Sequence, residues 1–180
     1  MKLIIKKENT KKENTCCFTG PRPHKLPFLA NETDVRTFCL REKIEAAVID
    51  EIIQNHCDTF LCGMARGVDM LCAGIVLSLK KIYGNDIRLV CVLPCLSQAQ
   101  AWPKEAQARY KSILSQADKN ILLQREYTEG CPAARNRFMV EHSSRLIAVY
   151  DGASGGGTKY TIDYARGRGR FVTVIDPFLT

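Results

Sequence analysis

No apolar run in this 180-residue sequence approaches the roughly 20 residues that a membrane-spanning helix needs. A secretory leader pattern is missing as well, because the run from Leu3 to Ile5 is too short for an apolar core segment and lysines follow it. Together these absences predict a soluble, cytoplasmic protein without membrane partners. No G-x-x-x-x-G-K-[ST] occurs, which excludes a Walker-type phosphate loop, and no G-x-G-x-x-G, which excludes the standard dinucleotide fingerprint. Cysteine is plentiful, with nine residues, but its number is odd and several lie inside apolar runs, as Cys62 and Cys91 do. A reduced thiol packs there as a small hydrophobe. Cys91 and Cys95 have half-site spacing, yet no second pair accompanies them, so neither a disulfide framework nor a metal site is expected.

What is present is ordinary globular composition, 46% apolar and 25% charged, in a length that fits one domain. The net charge is +7, but residues 1–15 carry five lysines and two glutamates, so much of the excess sits in that stretch. This is weak support for a nucleic-acid face. Residues 6–10 and 11–15 are the same pentapeptide, KKENT. The reading is a flexible basic tail over 1–15 and a single domain over 16–180.

The remaining chain is organised around residues 145–177. There RLIAVYD, GASGGGTKYTIDYARGRGR and FVTVIDP read as strand, glycine loop, helix and strand. Four of the seven residues from Asp151 to Gly157 are glycine, which leaves the backbone too free for regular structure. A loop leading from a parallel strand into a helix N-terminus presents unpaired N–H groups that suit a phosphate, so Gly155, Gly156, Gly157 and Thr158 are candidate ligand contacts. The plain alternative is a flexible turn.

Earlier segments repeat the pattern. A strand over 16–19 ends in Gly20-Pro21-Arg22-Pro23-His24, whose prolines fix an extended exit. Arg22 is either an anion ligand or a solvated turn residue. A helix over about 33–54, capped by Asn31 or Thr33, carries Leu40, Ile44, Val48 and Ile52 on one face. A second strand over 59–62 meets Gly63-Met64-Ala65-Arg66-Gly67-Val68-Asp69 at the start of another helix. The small residues Gly63, Ala65 and Gly67 would let a ligand lie against the backbone, and Asp69 would bind its hydroxyls or complement the helix dipole.

Strands over 87–93 and 119–124 follow, with a helix around Tyr110 and Ile113 between them. Trp102, just before that helix, would stack on a base or pack against the sheet, and packing is the preferred reading. After Cys131-Pro132 a helix carries Arg135, Asn136 and Arg137 in its first turns, an arrangement that favours an anion between the arginines or forms a solvated face. The alternation predicts an α/β fold: a Rossmann-like, mostly parallel sheet of about six strands with helices on both faces.

The series TGPRPHKLPF, CGMARGVD, W-x(7)-Y, GC-x(3)-RNRFMVEHS, LIAVYDG and GGGTKYTIDYA, spread over about residues 15–177, resembles the YpsA-like branch of the SLOG superfamily. That superfamily includes the LOG phosphoribohydrolases, molybdenum-cofactor carriers and DprA. The resemblance implies a nucleotide or nucleotide-derived ligand at the glycine loops, a regulatory role, a homo-oligomer and no required cofactor. CGMARGVD and the stretch from RNR to GGGT look close to DprA, so single-strand DNA binding through Arg166, Arg168, Arg170 and the segment Arg135-Asn136-Arg137 is an alternative. LOG enzymes carry a catalytic Glu three residues after the Thr of their PGGxGT loop. Here that position is Thr161, which leaves N-glycosidic cleavage, the enzymatic alternative, without its carboxylate. The His that DprA has four residues after its motif Asp is Ala73 here.

Overall fold

The computed structural model describes residues 3–4, 12–31 and 33–178. Its strands are β1 (Leu3–Ile4), β2 (Thr15–Thr19), β3 (Thr59–Cys62), β4 (Arg88–Leu93), β5 (Lys119–Leu122), β6 (Arg145–Val149) and β7 (Phe171–Ile175). The helices are α1 (Val35–Asn55), α2 (Val68–Tyr83), α3 (Lys104–Gln116), α4 (Cys131–Glu141) and α5 (Gly157–Gly167). All strand pairs are parallel, in the order β1-β5-β4-β3-β2-β6-β7. This is the expected Rossmann-like α/β arrangement, with one additional strand. Leu3–Ile4, expected to belong to a tail, pairs with Asn120–Ile121 of β5, and Thr15 opens β2. The first KKENT copy lies outside the described residues.

The strands are apolar in both directions because each face of the sheet is covered. On one face Phe18, Phe60, Leu89 and Ile147 pack with Leu40, Ile44 and Val48 of α1 and Ile75 and Leu79 of α2. On the other, Cys17, Leu61, Val90 and Leu146 pack with Met139 and Val140 of α4 and Ile162 and Ala165 of α5. Burial of large apolar side chains contributes about 1.5–3 kcal/mol each, so these two layers dominate stability. Trp102 joins the first layer, its ring set edge-on to Tyr110 with centroids 5.3 Å apart.

The cap of α1 differs from expectation. Asp34 accepts the backbone N–H of Arg36 at 2.9 Å, while Asn31 Oδ1 accepts from the N–H and hydroxyl of Thr33. The three side chains thus build a short polar turn in front of the helix, and the carboxylate nearest to it takes the capping position.

Strand order carries the chain from β2 through β3 and β4 to β5 in one direction, then back across β2 to β6 and β7. The reversal lies between β2 and β6. In an open parallel sheet the connections leaving two such strands diverge to opposite faces, and a crevice opens beyond their C-terminal ends.

Candidate functional site

A cavity of about 490 Å³ occupies that crevice. Its walls are the turn after β2, the first turns of α4, the β3–α2 junction at Ala65 and Asp69, and the loop from Tyr150 into α5. Of the residues singled out in the sequence, Gly20, Arg22, Ala65, Asp69, Arg135, Asn136, Gly155, Gly156, Gly157 and Thr158 line it. Gly63 and Gly67 do not.

Those two glycines admit protein atoms rather than open space. A Cβ on Gly63 would overlap the Arg135 guanidinium, which donates from Nη1 to the Gly63 carbonyl. A Cβ on Gly67, where φ is +94°, would stand 2.7 Å from the Pro21 carbonyl. The β2 turn is thereby clamped to the start of α2, and Val68 N–H donates to that same carbonyl at 3.4 Å.

Arg135 is a floor residue, 3% exposed, and its Nη1 lies 3.6 Å from Asp69 Oδ2. Asp69, 5% exposed, also accepts the Ala65 N–H at 3.1 Å. Burial pushes the Asp69 carboxyl up from its ordinary value, opposed by Arg135, the Ala65 N–H and Arg22. Burial likewise lowers Arg135, opposed by Asp69. Arg137, expected to share an anion with Arg135, turns outward and donates to the Tyr160 hydroxyl at 3.1 Å.

From Arg135 a polar chain runs to the glycine loop. Arg135 Nε donates to Asn136 Oδ1 at 2.8 Å, Asn136 Nδ2 donates to Thr161 Oγ1 at 2.9 Å, and that hydroxyl donates to the Gly157 carbonyl at 2.8 Å. Thr161 is buried and faces this chain.

At the opposite wall, α5 begins at Gly157, and Gly156 at its N-cap supplies no side-chain cap. Its first N–H groups carry the positive end of the helix dipole. Lys25 reaches the same place, since a Cβ on Gly156 would lie 3.4 Å from its Nζ. The loop itself is folded by the Tyr150 hydroxyl donating to the Ala153 carbonyl and the Ala153 N–H donating to Asp151 Oδ1 at 3.1 Å.

Sequence reasoning did not find Lys25, Tyr127, Tyr150, Asp151 or Tyr160, all of which line the cavity. Lys25 and Asp151 lie within TGPRPHKLPF and LIAVYDG, and membership of those motifs was the available signal. Tyr150 and Tyr160 stand inside LIAVYDG and GGGTKYTIDYA, at the end of β6 and in α5, whereas Tyr127 precedes α4 and carries no such signal. A positive rim, a helix N-terminus, two carboxylates and aromatic walls together suit an anionic, hydroxyl-bearing, ring-containing molecule.

A second cavity, about 590 Å³, lies between α1, α2 and α3, lined by Phe38, Arg41, Arg66 and Met70 among others. It is the larger of the two, but the loop from β6 into α5 contributes nothing to its lining. Position at the sheet's reversal point, not volume, makes the first cavity the candidate.

Comparison with known proteins identifies a family and relatives for the chain. Residues 16–170 match the YpsA family, described as the YspA SLOG family. The chain is similar to the UPF0398 proteins of Bacillus thuringiensis (strain Al Hakam) and Bacillus cereus (strain AH187). It is 29% identical to each over 156 residues, which cover 84% of this chain and 82% of the relative.

Proposed function

Since the chain belongs to the YspA SLOG family, we propose that its β2–β6 crevice binds a nucleotide or nucleotide-derived ligand, and that binding serves regulation rather than turnover. The observation that carries this is the convergence, at the sheet's reversal point, of three loops that each leave a parallel strand. The ligand's phosphate sits at the start of α5 beside Lys25 and Arg22, where uncapped N–H groups and two cations meet it. Asp69 and Asp151 accept from its hydroxyls, and the tyrosines flank its ring.

Two other readings are less well supported. N-glycosidic cleavage develops positive charge on the sugar and needs a positioned carboxylate. Thr161, at the LOG-like position, is buried and engaged by Asn136 and Gly157. Single-strand DNA binding would use Arg166, Arg168 and Arg170, at the far end of α5 from the cavity, together with the segment Arg135-Asn136-Arg137, where Arg135 is buried on Asp69 and Arg137 is engaged by Tyr160. Arg168 there donates to the Tyr164 hydroxyl and Arg170 to the Val140 carbonyl.

Native mass spectrometry of the purified protein, followed by calorimetry with AMP, ADP, adenosine and inorganic phosphate, tests the proposal. Expected is saturable binding of a phosphorylated nucleoside and loss of it in Gly157→Leu. Absence of binding to all four, with no nucleotide co-purifying, refutes it.

A further inference from the structure

The edge strand β7 reads Phe171-Val172-Thr173-Val174-Ile175, without a charge or a proline, and Phe171 is 66% and Val174 43% exposed. Edge strands are ordinarily protected by lysine, proline, a bulge or a covering element, because their free N–H and C=O groups template further pairing. At the sheet's other edge, β1 is only two residues long. At β7 the edge is five residues long, and exposed Phe178 follows it.

The hydrogen-bond phase of this edge is fixed by the neighbouring strand. Phe171 N–H donates to the Ser144 carbonyl and Tyr150 N–H to the Ile175 carbonyl, in a register pairing Arg145 with Phe171 and Val149 with Ile175. In a parallel ladder this directs the backbone groups of Phe171, Thr173 and Ile175 toward β6 and those of Val172 and Val174 outward. An antiparallel copy of β7 centred on Thr173 meets that phase. Val172 and Val174 of one copy face Val174 and Val172 of the other as hydrogen-bonded pairs, and Thr173 faces itself across the axis as a non-hydrogen-bonded pair. The same register sets Phe171 opposite Ile175 and, one step beyond the strand, Arg170 opposite Asp176. Opposite charges therefore meet at both ends of the pairing, related by the twofold axis.

We propose that β7 pairs with β7 of a second copy of this chain, antiparallel and centred on Thr173, joining two sheets into one. Hydrogen-bond phase and apolar exposure permit such a pairing, and the end charges, Arg170 against Asp176, single out a second copy in this register. A parallel partner would bring Arg170 beside Arg170. Because the axis runs through the edge strand, the two β2–β6 crevices open toward opposite ends of the joined sheet. The assembly does not depend on what those crevices bind.

The test is analytical ultracentrifugation of the full chain at tens of micromolar, with variants Val174→Pro and Thr173→Cys. Proline at position 174 removes an outward N–H and leaves the ladder to β6 intact, as is tolerated at edges. Wild type is expected to sediment as a dimer and Val174→Pro as a monomer with an unchanged far-ultraviolet dichroism spectrum. Non-hydrogen-bonded pairs bring Cα atoms to about 4.5 Å, inside the disulfide range. With oxidised glutathione as oxidant, Thr173→Cys therefore forms a covalent dimer, its two thiols losing their protons and two electrons to the glutathione disulfide. Phe171→Cys, facing Ile175, does not cross-link. If Val174→Pro fails to fold, this pair of cysteine variants decides alone. A monomeric wild type, which would leave the edge to a peptide strand from another protein, overturns the proposal. So does a dimer that survives Val174→Pro, or cross-linking as efficient at 171 as at 173.

Discussion

Asp69 and Arg135 face each other at 3.6 Å beneath the cavity, the carboxylate on α2 and the guanidinium on α4, both almost wholly out of solvent. They join the half of the sheet before the reversal to the half after it. Neither charge is free to leave without abandoning the other in a low-dielectric setting, and this makes the pair structural before it is anything else.

Removing one partner is therefore expected to be costly. Arg135→Leu should destabilise the fold by about 3–5 kcal/mol, because it strands a buried carboxylate and removes the donor to the Gly63 carbonyl. Pairing Arg135→Leu with Asp69→Asn should recover part of that loss. Urea denaturation of the single and double variants measures both.

The raised Asp69 carboxyl sets a direction with pH. A group that holds its proton more tightly folded than unfolded adds stability in full below the unfolded value, about 3.9, and loses it as pH rises through the folded value. Asp69→Asn lacks this slope. Its stability relative to wild type should improve from pH 4 upward, a trend that parallel denaturation curves would reveal. A flat difference would mean that Asp69 titrates alike in both states.

Adjacent glycines of the α5 loop should respond in opposite senses. Gly156 has φ +99° and ψ 171°, a region open essentially to glycine, so Gly156→Ala should cost about 1–3 kcal/mol. Gly157 has helical geometry, and an added Cβ meets nothing within 4 Å. Gly157→Ala should leave stability equal or raise it by about 0.4–1 kcal/mol. Thermal unfolding of the two alanine variants distinguishes a conformational demand from a spatial one.

Arg22 and Lys25 line the mouth of the crevice and have side chains exposed to solvent. Replacing either with alanine should weaken binding of a phosphorylated nucleoside by about 1–3 kcal/mol while leaving the melting temperature unchanged. Calorimetry on both variants is the measurement, and unchanged affinity in both would move the phosphate elsewhere.

Base release from AMP is expected to be absent. The Thr161 hydroxyl is committed to the Gly157 carbonyl, and the carboxylates that reach the cavity, Asp69 and Asp151, are respectively buried against Arg135 and tied to the Ala153 N–H. Chromatographic detection of adenine, with Asp69→Asn and Asp151→Asn as controls, checks this. Release that either control abolishes would identify a catalytic carboxylate.

Much of the fold was legible because buried parallel strands and amphipathic helices leave long periodic signals, as in Leu40, Ile44 and Val48. Leu3–Ile4 left none, since two residues cannot show a period and their partner is Asn120–Ile121. Gly63 and Gly67 show a different limit. A glycine records that something comes close to the backbone, not what. Here it is a guanidinium and a proline carbonyl, whereas the same reasoning applied to Gly155–Gly157 led to residues that do line the cavity. Arg135 was read as facing an anion because a helix start repels cations. A carboxylate beneath it, on a distant helix, was the missing half.

The pairing of Leu3–Ile4 with Asn120–Ile121 sets an order on synthesis. Leu3–Ile4 has no ladder partner until β5 has been made. β2 likewise waits for Arg145 and its neighbours before its second edge is covered. β2, made before either of its neighbours, thus gains β3 early and β6 late. Until β6 has been made, its Cys16-Cys17-Phe18 run has one unpaired side, which leaves this apolar stretch open to chaperones and to other nascent chains over that interval.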